Sequence, residues 1–257
     1  MEKLQQLKEI LQSYQKVAIA YSGGCDSNFL YQVAVDVLGK ENVLAILCNG
    51  IMMSKEDIDS ARMMIADGWF VEVPLDVLAI EQFKFNHKDR CYHCKRQVMS
   101  IVIEQAHKLK IEYVLDGKNA DDEEVYRPGN KACLELGIIS PLAAVKLTKT
   151  EIRAYSKQLG IVTHDKPANA CLASRFPYDT LLTVQKLSLV ERAEALLHQK
   201  GIFYVRVRVH DRLARIEVEP ENFNKVIDDF LVNELKELGF DYVTLDLKGI
   251  TSGSYDR

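Results

Sequence analysis

The stretch from Val17 to Leu38 constrains this chain more than any other. The apolar run Val17-Ala18-Ile19-Ala20-Tyr21 feeds directly into Ser22-Gly23-Gly24-Cys25-Asp26-Ser27, and a long apolar segment from Phe29 to Leu38 follows. A strand, a glycine turn and a helix in that order form a trap for phosphate. The two glycines let the backbone approach an anion with no Cβ in the way. The unpaired N–H groups of the helix's first turn then point at the anion, with the positive end of the helix dipole behind them. Ser22 and Ser27 add hydroxyl donors, and Asp26 is placed to hold Mg²⁺ on the phosphates. The pattern differs from the Walker loop, which needs Gly-Lys-Ser/Thr after a longer turn. The plain alternative is a glycine turn opening an ordinary βα unit.

A chain of 257 residues has room for one large α/β domain, or for a medium domain and a small one. The net charge of −4 argues against a broad basic surface recruiting nucleic acid, though not against a local basic cleft. No apolar run is long enough to span a membrane. Met1 to Tyr14 places Leu4, Leu7, Ile10 and Leu11 at helical spacing, which does not read as a signal peptide. A cytoplasmic location is therefore expected, where the six cysteines serve as thiols, metal ligands or catalytic groups more readily than as disulfides.

The first part alternates strands (Val17–Tyr21, Val43–Cys48, Phe70–Val73, Tyr113–Asp116) with helices (Asn28–Leu38, Ser54–Ala66, Cys91–Leu109). That alternation predicts a doubly wound, mostly parallel α/β sheet covered on both faces. Residues 80–90 read as a charged and aromatic loop, and residues 117–141 as irregular, with Arg127-Pro128-Gly129 a turn. Thr148-Lys149-Thr150-Glu151 has capping-box spacing and opens a helix that stops at Gly160. The organisation changes after Phe176-Pro177. Thr183–Gln199 reads as a helix ended by Gly201, and Phe203–Val209 as a half-buried strand with Arg215–Val218 its hairpin partner. Pro220–Leu238 reads as one helix, and Tyr242–Leu247 as a last strand. We therefore expect a domain over 1–177 and a smaller α/β domain over 178–257.

A second nucleotide signal follows the fourth strand, in Asp116-Gly117-Lys118-Asn119-Ala120-Asp121-Asp122. Ligands of open parallel sheets sit beyond the carboxyl ends of the strands, so this turn and Asn49-Gly50 after the second strand are candidates for the same site. Taken alone, the turn also reads as a solvated Asx-rich loop. Cys91-Tyr92-His93-Cys94 opens a helix, so its two sulfurs share one face and the helix dipole favours both thiolates. The pair has three readings: a redox couple, half of a zinc site, or two ligands of an iron–sulfur cluster with Cys171 the third. Zinc on the pair plus His93 or Cys171 is the structural version. Cys25 occupies a variable loop position, and Cys48 and Cys133 read as packing residues.

Ser-Gly-Gly-x-Asp-Ser resembles the PP-loop of ATP pyrophosphatases, which cut ATP between its α and β phosphates. Together with Asp116–Gly117, Tyr126-Arg127-Pro128-Gly129, Ala170–Tyr178, Tyr204-Val205-Arg206-Val207-Arg208 and Asp241–Leu247, it resembles the LarE family, sulfur transferases of the nickel-pincer nucleotide pathway. The resemblance runs in order along nearly the whole chain. It implies ATP-dependent adenylylation of a carboxylate of pyridinium-3,5-dicarboxylate mononucleotide, after which a sulfur nucleophile displaces AMP to give a thiocarboxylate. One branch of the family sacrifices a single cysteine, which ends as dehydroalanine. The other holds a [4Fe-4S] cluster on three cysteines, and the cluster carries an extra sulfide. Cys91, Cys94 and Cys171 together resemble the cluster branch, while Cys171 also matches the sacrificial position.

By position, the resemblance gives Ser22, Gly23, Gly24 and Ser27 the β and γ phosphates, Asp26 the Mg²⁺, and Asn49, Asp116 and Gly117 further contacts to the nucleotide. Arg206 and Arg208 share one face of their strand, because strand side chains repeat every two residues. With Arg175 they would clamp the substrate phosphate; the plain alternative makes them a solvated face. Lys95, Lys118, Glu123 and Arg127 rank behind these as nucleotide or substrate contacts. Glu194 matches a metal-binding glutamate of the family. A sulfide or other sulfur donor and a homo-oligomer, a hexamer by resemblance, complete the expected partners, with no membrane and no nucleic acid among them. The competing functions are a tRNA thiolase with the same loop and cluster, an amide-forming enzyme such as an NAD synthetase, and a non-catalytic nucleotide sensor with structural zinc.

Overall fold

The computed structural model describes residues 2–65, 67–124, 128–167 and 169–251, apart from the side chains of Glu123 and Glu124. In chain order the elements are α1 (Glu2–Tyr14), β1 (Val17–Ala20), α2 (Cys25–Leu38), β2 (Val43–Asn49), α3 (Lys55–Met64), β3 (Trp69–Pro74), α4 (Glu81–Lys84), α5 (Arg90–Lys108), β4 (Tyr113–Leu115), α6 (Asp121–Glu124), α7 (Pro128–Glu135), α8 (Pro141–Ala144) and α9 (Lys149–Gln158). They continue with α10 (Val184–Gln199), β5 (Val205–His210), β6 (Leu213–Val218), α11 (Phe223–Val226), α12 (Asp229–Glu237) and β7 (Tyr242–Leu245). Two compact units result: residues 1–76 with 89–168, and residues 77–88 with 169–257. The expected boundary at 177 falls inside the second unit, which also takes in α4 from the segment read as a loop.

The first unit is an all-parallel sheet in the order β3-β2-β1-β4. Its two central strands, β1 and β2, are apolar on both faces, as they must be when helices cover both. Val17, Ile19, Val43, Ala45 and Leu47 face one core with Phe29, Leu30 and Val33 of α2 and Ile152 of α9. Ala18, Leu44, Ile46 and Cys48 face the other, with Val102 and Ala106 of α5. This is the doubly wound α/β sheet that the alternation predicts. Chain direction across the sheet reverses between β1 and β4, so the loops after those strands flank the switch-point crevice where such sheets bind ligands.

Local signals set the helix ends. Ser54 accepts the Asp57 N–H at the start of α3. Thr148 and Glu151 form a complete capping box on α9, and Thr183 caps α10. Gly160 and Gly201 take φ of +70° and +75° past the ends of their helices. Two expectations fail on local grounds. Pro128 opens α7 rather than a turn, because proline suits a helix's first position. The stretch 220–238 is not one helix: Asp228 accepts the Phe230 N–H and starts α12 afresh.

The second unit is a three-stranded sheet, β5-β6-β7, with β5 antiparallel and β7 parallel to β6. Leu187, Val190, Ala193 and Leu197 line the buried side of α10, and Val205, Val207 and Val209 alternate along β5. Arg206 lies opposite Glu217 and Arg208 opposite Arg215, on the other sheet face. That face is not solvated. Arg206 is 6% exposed, Arg208 3% and Glu217 fully buried, so the strand read as half-buried is buried on both sides.

Candidate functional site

The phosphate loop leaves β1 at Tyr21 and enters α2 at Cys25, with Gly24 as N-cap. Two independent constraints require glycine at position 23. Its φ is +70°, and a Cβ there would stand 2.6 Å from the Ala61 Cβ of α3. The Ser22 and Ser27 hydroxyls lie 3.1 Å apart, and Ser27 Oγ donates to the Gly24 carbonyl at 3.2 Å. From below, the Asn28 side chain joins Tyr21 and Thr163 in a buried chain of hydrogen bonds.

The turn after β4 comes hard against this loop. A Cβ on Gly117 would be 2.9 Å from Ser27 N and 3.1 Å from Ser27 Cα, so that position admits no side chain without backbone movement. Buried Asp116 accepts from Ser140 Oγ at 2.7 Å and from Lys118 N at 3.2 Å, which fixes the turn. Asn119 and Asp122 exchange backbone-to-side-chain bonds, and Asp121 Oδ2 accepts the Lys149 N–H at 2.8 Å. The structure therefore brings together Ser22, Gly23, Gly24, Asp26, Ser27, Asp116 and Gly117. Asn49 also ends its strand at this edge, but its amide is tied to Glu72, which Arg62 holds through Nε and Nη2.

Two lysines at the loop escaped the sequence reading. Lys149 Nζ donates to Asp26 Oδ2 at 2.6 Å. Lys166 Nζ reaches the Gly23 carbonyl at 3.2 Å, Ser60 Oγ at 3.4 Å and Asp57 Oδ1 at 3.0 Å. Burial pushes the Asp26 carboxyl up, and Lys149 opposes it. Among the described residues Asp26 Oδ1 is buried with no well-aligned donor, although the Asn119 amide beside Asp26 also favours its charged form; an oxygen so placed is one that a cation would complete. Asp26 thus fits Mg²⁺. The capping box beside Lys149 marks only a helix start, and neither Lys149 nor Lys166 carries a local signature of its contact with the loop.

Cys91 and Cys94 stand in the first turn of α5, the former exposed and the latter half-buried, neither of them in a disulfide. Their spacing and the helix dipole suit thiolate ligation. Among the described residues, no three or more His, Cys, Asp or Glu side chains are gathered as a metal site. Lys95 lies near Cys48 and Cys133, but burial dominates and pushes both thiols up to about 11. Arg127 and the side chain of Glu123 fall outside the described residues.

In the second unit, Arg175 and Glu194 form a two-pronged ion pair, Nε to Oε1 at 2.7 Å and Nη2 to Oε2 at 3.0 Å. Glu194 Oε1 also accepts the Val207 N–H of edge strand β5 at 2.9 Å. Both oxygens of Glu194 are therefore engaged by an arginine and a strand. Burial works against the Arg175 charge, yet Glu194 holds its guanidinium above the usual range. Arg208 pairs with Glu217 at 3.0 Å and donates to the Ser174 carbonyl. Arg206 differs. Its partner is the Thr251 carbonyl at 2.7 Å, no ion pair to it appears among the described residues, and burial with Arg175 and Arg208 nearby lowers its pKa. Cys171 caps the short 3-10 turn that carries Arg175, whose Nη1 donates to the Ala170 carbonyl and Ser174 Oγ, both at 2.9 Å.

A parallel sheet in this order, with Ser-Gly-Gly-x-Asp-Ser at its switch point, defines the PP-loop class of ATP-using enzymes. The NAD synthase family model matches residues 2–125. Along its length the chain is 38% identical, over 95% of itself and 90% of the relative, to pyridinium-3,5-bisthiocarboxylic acid mononucleotide synthase of Lactiplantibacillus plantarum. It is 39% identical to an uncharacterized protein of Synechocystis sp., over 99% of this chain and 97% of that one. The likeness to glutamine-dependent NAD(+) synthetase of Thermotoga maritima, at 41%, covers 20% of this chain and 9% of the relative. The chain belongs to the LarE family. No helix among the described residues is long and apolar enough to cross a membrane.

Proposed function

We propose that the chain is an ATP-dependent sulfur transferase acting on pyridinium-3,5-dicarboxylate mononucleotide. It adenylylates a carboxylate of that substrate, releases pyrophosphate, and replaces AMP with sulfur to leave a thiocarboxylate. The observation that carries this reading is the 38% identity to the bisthiocarboxylic acid mononucleotide synthase, which extends over 95% of the chain and so includes both units. The site chemistry agrees with it. A carboxylate resists sulfur attack because oxide leaves poorly, and joining it to AMP supplies a good leaving group. Gly23, Gly24 and the first turn of α2 would hold the phosphates that depart, with Ser22 and Ser27 as donors and Asp26 on Mg²⁺. Asn49, Asp116 and Gly117 would border the rest of the nucleotide, and Lys95, Lys118, Glu123 and Arg127 would lie further out.

The substrate carries a phosphate and two carboxylates, and buried guanidiniums suit such a ligand. Arg206 would meet the phosphate directly, because it alone of the three arginines shows no carboxylate partner among the described residues. Arg175 and Arg208, already paired with Glu194 and Glu217, would serve as fixed parts of the frame around it. For the sulfur source we propose a [4Fe-4S] cluster on Cys91, Cys94 and Cys171. When bound, a cluster held by three thiolates supplies an open iron on which sulfide is stored as a renewable nucleophile. The second reading makes Cys171 itself the donor. It is favoured by the place of Cys171 at the start of the short turn that carries Arg175, whose Nη1 lies 3.5 Å from the Cys171 carbonyl. Cytoplasmic residence and a homohexameric assembly remain part of the proposal.

Anaerobic purification with iron and sulfide quantitation tests this, comparing wild type with Cys91→Ala, Cys94→Ala and Cys171→Ala. Loss of cluster and of thiocarboxylate formation in all three variants is expected. Full single-turnover activity in Cys91→Ala and Cys94→Ala, with none in Cys171→Ala, would establish the sacrificial donor instead. Release of pyrophosphate on addition of a transfer RNA, and not of the mononucleotide, would refute both.

A further inference from the structure

Residues 77–88 interrupt the sequence of the first unit but pack with the second, and Asn86 is where they are fastened. Its side chain is fully buried, and Nδ2 donates to two consecutive carbonyls, Phe176 at 3.1 Å and Pro177 at 2.7 Å. Its own carbonyl accepts the Asp179 N–H at 3.2 Å, and the Lys84 carbonyl accepts that of Leu182 at 2.7 Å. Only the NH₂ end of an amide can face two carbonyls, which fixes its sense. Oδ1 is left buried with no hydrogen-bond donor among the described residues, and the backbone takes φ of +54°. Both features cost stability, and residues that keep such costs cluster where a segment must be held for function. What is held here is the segment of Cys171, which opens the 3-10 turn Leu172–Arg175 just before the clamped carbonyls. The turn closes on itself through the Ser174 N–H to the Cys171 carbonyl, at 2.9 Å, and Arg175 Nη1 to the Ala170 carbonyl, also at 2.9 Å. Arg208 holds its middle through the Ser174 carbonyl. The Asn86 amide ties its outgoing end to a stretch of chain 90 residues away in sequence.

We propose that Asn86 is a positioning residue for sulfur delivery: its amide clamps the segment after Cys171, so that sulfur delivered through Cys171 reaches the adenylylated carboxylate before water does. The two attacks compete for one acyl carbon. Sulfur attack forms the C–S bond and expels AMP, leaving the thiocarboxylate. Water attack forms a C–O bond, expels the same AMP and, with loss of a proton, returns the starting carboxylate. Holding the sulfur in place favours the first, because an oriented nucleophile does not have to be found by diffusion. Asn86 touches neither substrate nor sulfur and acts through the backbone it holds. The inference rests on the proposed sulfur-transfer chemistry.

The test gives the anaerobic full-length protein ATP, Mg²⁺, the pyridinium dicarboxylate mononucleotide and sulfide, and counts AMP and thiocarboxylate together. The wild type should form them in equal amounts. Asn86→Gly accepts the left-handed backbone and deletes only the amide. Its AMP released per thiocarboxylate should rise about tenfold or more. Hydrogen exchange over residues 169–182 should quicken about 10- to 100-fold, the value of two hydrogen bonds, with α10 and β5 unchanged. A loss of stability alone would lower protection in all three stretches and reduce the yield without moving the ratio. Lys88→Gln, an exposed lysine on the same segment, should change nothing. Should Asn86→Gly fail to fold, Asn86→Asp serves: it keeps the shape without a donor, and the ratio should rise in the same way. An unchanged ratio, or protection lost equally across 169–182, α10 and β5, overturns the proposal. Failure of the wild type to form thiocarboxylate overturns the sulfur-transfer reading itself, a separate outcome.

Discussion

Glu194→Ala isolates what the second unit's charge network does. The substitution removes the carboxylate that accepts from Arg175 Nε at 2.7 Å, Arg175 Nη2 at 3.0 Å and Val207 N at 2.9 Å. It leaves a guanidinium that is 2% exposed with no counter-charge from that side, and it strips a strand N–H of its acceptor. Breaking a buried ion pair by deleting one partner costs about 3–5 kcal/mol. Glu194→Gln keeps one acceptor but turns an amide N–H₂ against the other arginine nitrogen, so it should lose roughly 1.5–3 kcal/mol. Pairing Arg175→Met with Glu194→Leu removes both charges and should restore more than half of the single-variant loss, because no buried charge is then left uncompensated.

Hydrogen exchange read by mass spectrometry is the appropriate assay, since the lone tryptophan, Trp69, reports on the first unit. Peptides covering α10 and β5 should lose about two to three and a half orders of magnitude of protection in Glu194→Ala. A change below about tenfold would refute the assignment of Glu194 as the counter-ion of Arg175. The metal-binding alternative makes a different forecast: protection in the wild type would fall on adding a chelator, and the alanine variant would be indifferent to it.

Three further outcomes follow from particular residues. Gly117→Ala should cost about 1–3 kcal/mol and weaken Mg·ATP-analogue binding at least tenfold, because its Cβ meets the Ser27 backbone; Gly160→Ala, with open space around it, should leave titrated nucleotide affinity alone. Maleimide at pH 8 should label exposed Cys91 quickly and spare Cys48 and Cys133, whose pKa values near 11 leave only ~0.1% thiolate; equal labelling in mass spectra would contradict the buried assignment. Burial, with Arg215 and Arg208 nearby, lowers the pKa of His210, so NMR should find its midpoint below 6.5. The neutral form is favoured in the fold, so its contribution is complete above pH 6.5 and is lost as pH falls through the depressed value. A midpoint at or above 6.5 would refute it.

The path from residues to structure was shortest where the signal is local. The β1–loop–α2 unit, the Thr148 capping box and the Gly201 stop are each determined by a few adjacent residues, and they stand as read. The β5–β6 pairing was legible from two alternating runs. What alternation does not tell is whether the polar face meets water. Arg206 and Arg208 alternate with valines as a solvated strand would, yet carbonyls of Ser174 and Thr251 and the carboxylate of Glu217 cover that face. Those partners are remote in sequence, so no window around β5 reveals them. Lys149 and Lys166 were invisible for the same reason: each meets the phosphate loop more than a hundred residues from its own position. The proline at 128 misled in the opposite way, since its turn and helix-start preferences are equally strong until the following residues pack.

The two units meet the problem of holding anions by opposite means, and the difference suits what each is proposed to hold. The phosphate loop offers backbone N–H groups, hydroxyls and two lysines, one of them held by a single carboxylate. Such a site can reorganise, as the proposed exchange of triphosphate for pyrophosphate would require. The β5–β6 face instead fixes guanidiniums in a frame of carboxylates and carbonyls, so that little moves. A frame of that kind costs stability to build, because each charge must be desolvated before it is paired. The proposed chemistry would repay that cost, since it needs a substrate held in one orientation through two steps on the same carboxylate. Arg206 then marks the place where the frame was left incomplete: a buried cation, its charge opposed by neighbouring arginines, that an incoming phosphate would neutralise.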